Sequence, residues 1–206
     1  HSDGFGFFPL LMGGDAGLLA TPQGRRWYDQ IRGGQGATAA IDIIQSFGRG
    51  DLPAGFPKPG TPAYRNAWGE VIKAAEAYNE PGRFTAFIGY EWTSLDKGNN
   101  LHRNVIFRDS GDRASQVEPF TCVPPMGSIN PADLWKWMDA YEKKTGGSVL
   151  AIAHNGNLSN GEMFPIVEAF GYRNVEFEGW EADDVIATIA TRADAAGIKT
   201  CVVSTD

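Results

Sequence analysis

The chain has 206 residues, of which 42% are hydrophobic and 12% aromatic, and a formal net charge of −7. This composition is typical of a globular protein and excludes a disordered one, and the negative charge argues against nonspecific binding to a nucleic-acid backbone, which needs a basic face. Because the sequence has no run of about 18 apolar residues, we expect no membrane-spanning helix and no membrane partner.

The first sixty residues are rich in Gly and Pro and show weak periodicity outside GRRWYDQIRGG and GATAAIDIIQSF. The second of these stretches places Ala39, Ile43 and Phe47 on one face of a helix. The sequence begins without Met and stops straight after a buried-strand pattern. We therefore expect it to be a piece of a longer protein, which leaves the cellular compartment open.

Two helices and three strands are predicted in the middle of the chain. One helix begins at the Thr61 cap and stops at Pro81, and another runs from the Asn130 cap to Gly146. The stretches RFTAFIGYEWTS, NNLHRNVIFRD and SVLAIAHN are typical of strands. Because the connection LDKG is short, the first two strands are expected to be neighbours.

After Pro165 the pattern changes to a single β-α-β unit. It consists of the strand VEFEG, the amphipathic helix WEADDVIATIATRADAAG and the buried strand IKTCVVSTD. We expect this unit to be right-handed with parallel strands. The two cysteines, Cys122 and Cys201, lack the spacing of a zinc site. They are interpreted as ordinary thiols, with a disulfide or a ligand pair as the alternative.

The three histidines of the chain all lie outside predicted helices. His154 and Glu91 each end a predicted strand, His102 lies where a loop enters a strand, and His1 is the first residue. Because ligands bind at the carboxyl ends of strands in α/β folds, we expect Glu91 and His154 to share one rim. Imidazole and carboxylate together suit zinc, manganese or iron. The alternative is that these histidines are structural and only hydrogen-bonded.

Three stretches, GRFTAFIGYEWTS, GNNLHRNVIFRD and LAIAHNGNLSNGEMFP, carry a family resemblance. In this order they resemble a bacterial domain-of-unknown-function family related to the PHP (polymerase and histidinol phosphatase) metal-dependent phosphoesterases. The resemblance covers residues 1–165 and implies a partial distorted β/α barrel that binds metal. It implies metal ligands at His1, Glu91, His102 and His154, with Glu91 and His154 catalytic. The family's opening His-x-His and final Asp-x-His have no counterpart here.

The substrate implied by this resemblance is a small phosphorylated molecule. Arg103 or Arg108 is a candidate for holding its negative charge, because arginine pairs well with phosphate. Asn155, which follows His154, is a further candidate for substrate binding. The alternative for both arginines is a solvated position on a strand.

An acidic cluster marks the last helix. Glu181, Asp183 and Asp184 lie at its entrance, and Asp206 ends the next strand. The helix dipole favours acids there, but three close carboxylates repel one another and indicate a cation. Four carboxylates would suit magnesium or manganese, as in two-metal phosphodiester hydrolysis. Residues 166–206, through EADD and the following STD, resemble the 5′-nuclease (5′–3′ exonuclease) domain of bacterial DNA polymerase I.

These observations predict an α/β chain in two parts. Residues 1–165 form a partial PHP-like barrel, and residues 166–206 form a β-α-β unit of 5′-nuclease type. The leading functional hypothesis is a metal-dependent hydrolase of phosphoesters. The alternatives are a piece of a magnesium-dependent flap nuclease, which would bind DNA only through its C-terminal segment, and an inactive fragment or chimera. The sequence leaves the oligomeric state open.

Overall fold

The computed structural model describes residues 4–163 and 182–198, with residues 182–185 described by their backbone alone. The chain is mixed α/β, as predicted. Its described helices are α1 (Phe7–Met12), α2 (Ala16–Leu19), α3 (Pro22–Arg32), α4 (Gly36–Arg49), α5 (Pro62–Tyr78), α6 (Gly111–Ala114), α7 (Pro131–Thr145) and α8 (Ala182–Ala195). Its described strands are β1 (Ile88–Trp92), β2 (Leu95–Asp96), β3 (Asn99–Asn100), β4 (Arg103–Phe107) and β5 (Val149–Ala153), and Gly156–Leu158 form a 3₁₀ turn.

Helices α1 and α2 occupy the stretch whose periodicity is weak in the sequence, and both are short. Capping side chains start α2 and α3 at a close interval: Asp15 accepts the N–H of Leu18, and Thr21 accepts the N–H of Gly24. The predicted apolar face of α4 is confirmed, since Ala39 and Ile43 are buried in the structure.

The caps predicted for α5 and α7 are confirmed. Thr61 accepts the N–H of Tyr64, and Asn130 accepts the N–H of Ala132. Helix α7 ends at Gly146, whose φ of 65° lies in the left-handed region that glycine adopts readily. Helix α5 ends at Tyr78, before the predicted stop at Pro81, because Asn79 is already extended.

Strands β1, β4 and β5 form an antiparallel sheet in the order β1-β4-β5. Trp92 pairs with Arg103, and Arg103 pairs with Ala153. The prediction that the first two strands are neighbours in the sheet is therefore confirmed. Between them β2 and β3 form a small hairpin that turns at Lys97 and Gly98, both with positive φ, as a two-residue hairpin turn requires.

The described strands form no closed barrel, whereas the sequence analysis expected part of one. The physical reason is the short connection between β1 and β4. A parallel neighbour needs a crossover of a dozen or more residues, and residues 93–102 are too few for one, so β1 and β4 pair antiparallel. The described sheet has three strands and two free edges.

One face of this sheet is buried and the other is half-exposed. Side chains alternate in burial along β1 and β4, so Tyr90 and Val105 are buried while Glu91 and Ile106 are only partly covered. Aromatic side chains from α5 and α7 cover the buried face. Trp68 of α5 contacts Phe107 with ring centroids 5.5 Å apart. The half-exposed face is therefore the one open to ligands.

Some predicted features lie outside the described residues. These are the strand VEFEG, most of the strand IKTCVVSTD, and Cys201. The thiol of Cys122 is buried and donates to the carbonyl oxygen of Thr93 at 3.5 Å. Across the described part of the chain, no helix combines the length and the apolar character needed to cross a membrane.

Candidate functional site

Glu91, His102 and His154 meet at one end of the three-stranded sheet. Glu91 is the penultimate residue of β1, and His154 directly follows β5. Strands β1 and β5 run in the same direction, because each is antiparallel to β4 between them. The amino end of β4 lies at this same end of the sheet, and His102 directly precedes it. The carboxyl ends of β1 and β5 and the amino end of β4 therefore bring the three residues together.

The main chain around His102 is fixed by a local turn. The backbone N–H of His102 donates to Oδ1 of Asn100, two residues earlier, at 2.8 Å. Such a turn is a common use of asparagine before a strand. Asn100 is a residue of the site that the sequence analysis missed. The signal was available, since asparagine favours turns of this kind and NNLHRN leads straight into a strand.

The three side chains are close enough to interact directly. Nδ1 of His102 lies 2.8 Å from Oε1 of Glu91, and Nε2 of His154 lies 3.9 Å from the same oxygen. The exposed fractions of the side chains of Glu91, His102 and His154 are 22%, 14% and 19%. A carboxylate oxygen therefore lies between two imidazole rings in a partly desolvated site.

The Glu91 carboxyl is held in its ionised form. The hydrogen bond from His102 lowers its pKa, burial acts in the opposite direction, and the charges of both histidines lower it further, so the net pKa lies below the ordinary value. Because an ionised carboxylate can only accept, Nδ1 of His102 is the donor of the bond. Nε2 of His102 is buried and has no hydrogen-bond partner among the described residues.

His154 is tied to His102 through the main chain. Its backbone N–H donates to the carbonyl oxygen of His102 at 3.1 Å, which extends the β4–β5 ladder by one residue. The side-chain amide of Asn155 lies 2.9 Å from Nε2 of His154. Asn155 has a φ of 55°, a left-handed conformation that asparagine tolerates better than most residues. Asn155 thus contacts a site histidine directly.

The residue types at this site are ones that divalent transition metals bind, since imidazole and carboxylate suit zinc, manganese or iron. Nε2 of His102 is a buried ring nitrogen to which a metal could bind. No group of three or more His, Cys, Asp or Glu side chains within the described part of the chain is arranged to hold an ion. The fourth predicted ligand, His1, lies outside the described residues.

Arg103 lies beside the site but on the buried face of the sheet. Only 2% of its surface is exposed, and this burial lowers its pKa to about 10. Its Nη1 donates to the carbonyl oxygens of Leu101 and His102 at 2.9 and 3.0 Å, and its guanidinium lies over Trp135. The observed contacts of Arg103 therefore support the main chain at His102. Its predicted contact with substrate stays a prediction.

Arg108, the other arginine considered for the substrate, is not near the site. It follows the last residue of β4, and Phe107 pairs with Ile88 at the end of the sheet away from Glu91. The five residues of β4 separate it from His102, so the two residues lie about 20 Å apart along an extended chain.

Only part of the predicted acidic site lies among the described residues. Glu181 and Asp206 lie outside the described residues. Asp183 and Asp184 lie in the first turn of α8, where only the backbone is described. The helix predicted there is present, and the convergence of the four carboxylates stays a prediction.

The chain was compared with known protein families, curated proteins and solved structures. Residues 1–181 match the model of a family described as "Protein of unknown function (DUF3604)". No curated protein and no solved structure matches the chain. The family match includes Glu91, His102 and His154 and continues beyond Pro165, where the sequence analysis predicted a second part.

Proposed function

Because the chain belongs to the family described as "Protein of unknown function (DUF3604)", we propose its activity from the site: it is a metal-dependent hydrolase of phosphoesters. The single observation that carries the proposal is that ring nitrogens of His102 and His154 lie 2.8 and 3.9 Å from one carboxylate oxygen of Glu91. We further propose that the family is related to the PHP phosphoesterases, on the strength of the three sequence stretches given above.

In this proposal His102 binds the metal through Nε2. Its Nδ1 is hydrogen-bonded to Glu91, which fixes the tautomer and leaves the lone pair on Nε2. Carboxylate–histidine pairs of this kind commonly orient metal ligands. His154 is the second imidazole ligand, and its Nε2 becomes available when the Asn155 amide turns away. His1 would complete the proposed ligand set, and the Glu91 carboxylate, which accepts from Nδ1 of His102, would orient that ring.

A divalent ion at this site supplies Lewis-acid chemistry, by activating a water and neutralising charge on phosphate oxygens. The chain's own residues orient the reactants. Glu91 keeps its negative charge at neutral pH because its pKa is lowered, so it orients His102 rather than carrying a proton. His154, the second imidazole ligand, holds its ring beside the Glu91 carboxylate. Asn155, adjacent to it, is a donor for a phosphate oxygen.

The experiment measures metal content and hydrolysis together. The protein is loaded with Mn²⁺ or Zn²⁺, dialysed and analysed for bound metal, and its hydrolysis of 4-nitrophenyl phosphate is followed. We expect Glu91→Ala and His154→Ala each to lower both metal content and rate by at least about tenfold, because a ligand or its orienting partner is lost.

The matched control is Glu70→Ala, which removes an exposed carboxylate on α5 that is paired only with Lys73. This variant is expected to keep the metal and the rate of the unmodified protein. If Glu91→Ala and His154→Ala retain their metal and activity, or if the unmodified protein binds no metal and hydrolyses no phosphoester, the proposal is wrong.

A further inference from the structure

A groove of about 350 Å³ is lined in part by Thr93, two residues after Glu91. Its walls come from the end of α4, from the residues after β1, and from the loop before α7. Most of its lining is apolar, with Phe47, Leu52, Leu95, Val123 and Ile129 as the larger side chains. This volume falls within the range of pockets that hold small organic molecules, about 300–1,000 Å³.

Thr93 links the lining of the groove to the main chain at Glu91. Thr93 lines the groove, and its hydroxyl donates to the carbonyl oxygen of Glu91 at 3.1 Å. Two peptide units separate these residues, so their Cα atoms are at most about 7.6 Å apart. A substrate with its phosphate at Glu91 and the histidines could therefore extend its leaving group into the groove.

The wall opposite α4 is held by backbone hydrogen bonds. The N–H of Gly127 donates to the carbonyl of Val123 at 2.9 Å, and the N–H of Ser128 donates to the carbonyl of Thr121 at 3.1 Å. A Cβ atom at Gly127 would overlap the carbonyl oxygen of Thr121, so the tight fold of this loop requires glycine. The groove is thus a formed feature of the loop.

Arg49 gives the groove its charge. It is the one charged side chain among the described residues that line the groove. Its guanidinium donates to the hydroxyl of Ser46 at 3.3 Å and forms no ion pair with a carboxylate in the described part of the chain. Arg49 lies in the last turn of α4, where the helix end carries about half a negative charge, which a full guanidinium charge outweighs.

We propose that the groove binds the leaving group of the substrate, and that this leaving group is a flat apolar alcohol bearing its own anionic group, which pairs with Arg49. The inference rests on the proposed hydrolase, because it assigns the reacting phosphate to the neighbouring site. It names the substrate class as phosphoesters of anionic aromatic alcohols.

The test uses the leaving group by itself, so that binding is measured apart from hydrolysis. The fluorescence of 6-hydroxy-2-naphthoate is titrated with the full chain without added metal, and neutral 2-naphthol is titrated in parallel. We expect saturable binding of the naphthoate, a loss of affinity of at least about fivefold in Arg49→Met, and an unchanged affinity for 2-naphthol in that variant, because only the naphthoate carries the charge.

Three further variants make the result specific. Ile129→Trp fills the groove from an exposed position, so it does not disturb the core, and it should abolish binding of both compounds. Arg32→Met removes an exposed arginine at the end of α3 and should change neither. Glu91→Gln should also leave both affinities unchanged, because the groove lies beside the carboxylate and not on it.

The outcomes separate this inference from the proposed hydrolase. If 6-hydroxy-2-naphthoate binds as expected but its phosphate ester is never hydrolysed with Mn²⁺ or Zn²⁺, the proposal for the groove is supported and the proposed hydrolase activity is wrong. If the ester is hydrolysed, Arg49→Met should raise KM and leave kcat unchanged. Absence of naphthoate binding at millimolar concentration, or full binding in Arg49→Met or Ile129→Trp, would overturn the inference.

Discussion

Asp109 is a buried carboxylate that joins α7 to the sheet. Only 5% of its side chain is exposed, and it accepts hydrogen bonds from the hydroxyl of Tyr141, the backbone N–H of Ser148 and the guanidinium of Arg113. Burial raises its pKa, but these three donors outweigh burial, so the pKa lies below its ordinary value. Asp109 also raises the pKa of Tyr141, together with burial, to about 12.

We expect Asp109→Asn to lower the free energy of unfolding by about 2 kcal/mol at pH 7, because buried donors lose a charged acceptor. The pKa of Asp109 is lower in the folded state, so its stabilisation is present above its unfolded pKa and is lost as the pH falls through its folded pKa. The difference between the two proteins should therefore shrink as the pH is lowered below about 4. Urea unfolding at pH 7 and at pH 3 measures both effects.

The control for this experiment is Asp139→Asn, which changes an exposed carboxylate on α7. It should alter the free energy of unfolding by less than about 0.5 kcal/mol at either pH. An equal loss in both variants, or a loss in Asp109→Asn that does not depend on pH, would mean that the network around Asp109 contributes no specific stability.

At the level of residues, the sequence predicted which side chains form the site better than how they are held. Glu91, His102 and His154 were found from their positions at strand ends. The bond from the His102 N–H to Asn100, and the bonds from Arg103 to the carbonyls, were not predicted. The bond to Asn100 is local and could have been read from NNLHRN, whereas the contacts of Arg103 depend on its rotamer and on the pairing register.

Two glycines inside helices have opposite surroundings. Gly69 lies within α5, and a Cβ atom there would meet nothing within 4 Å. Gly24 lies in α3, and a Cβ atom there would overlap the backbone carbonyl of Leu18 in α2. Gly24 therefore permits the close approach of two helices, whereas Gly69 only adds freedom to the unfolded chain.

We expect Gly69→Ala to raise the free energy of unfolding by about 0.5–1 kcal/mol, because alanine restricts the unfolded chain and favours the helix. Gly24→Ala should lower it by about 1–3 kcal/mol, because α2 and α3 must separate to make room. Thermal and urea unfolding of the two variants beside the unmodified protein measure the signs. Two changes of the same sign would contradict the packing described here.

At the level of elements, prediction succeeded where the local signal was strong. The caps at Thr61 and Asn130 were readable because a capping side chain acts within three residues of itself. Helices α1 and α2 were not separately predicted. They are short, and their stability comes from burial of side chains such as Phe7 and Leu18 in the shared core, which periodicity over a few residues does not reveal.

For the whole molecule, a metal that binds only the folded chain must stabilise it. At a metal concentration one hundred times the Kd the gain is about 2.7 kcal/mol, which for a chain of this size corresponds to roughly 5–10 °C in Tm. We expect Zn²⁺ or Mn²⁺ to raise the Tm of the unmodified protein by this amount, and His154→Ala to remove most of the increase. Differential scanning fluorimetry with and without a chelator is the measurement.

The matched control is Glu70→Gln, at an exposed position on α5, which should keep the full increase in Tm. A Tm that no divalent ion changes would favour the alternative of an inactive fragment. A rise of equal size in His154→Ala would show that the metal binds elsewhere on the chain.

Over the whole molecule, the sequence predicted the mixed α/β class and the adjacency of β1 and β4. The sheet, however, is antiparallel and open, whereas part of a barrel was expected. Strands at Glu91 and His154 were expected to share a rim through parallel alignment in a partial barrel. They do run in the same direction, but across an antiparallel strand. Which strand lies between two others is decided by contacts distant in sequence, so local patterns could not reveal it.

The antiparallel ladder also restricts how this chain can change in length. His102 and His154 face each other because the last bond of the ladder joins their backbones. One residue inserted within β4 would turn His102 to the opposite side of the sheet, since successive side chains alternate. Extra residues at the Lys97–Gly98 turn would leave the histidine pair untouched. Across relatives, natural insertions should therefore accumulate at that turn and be excluded from β4.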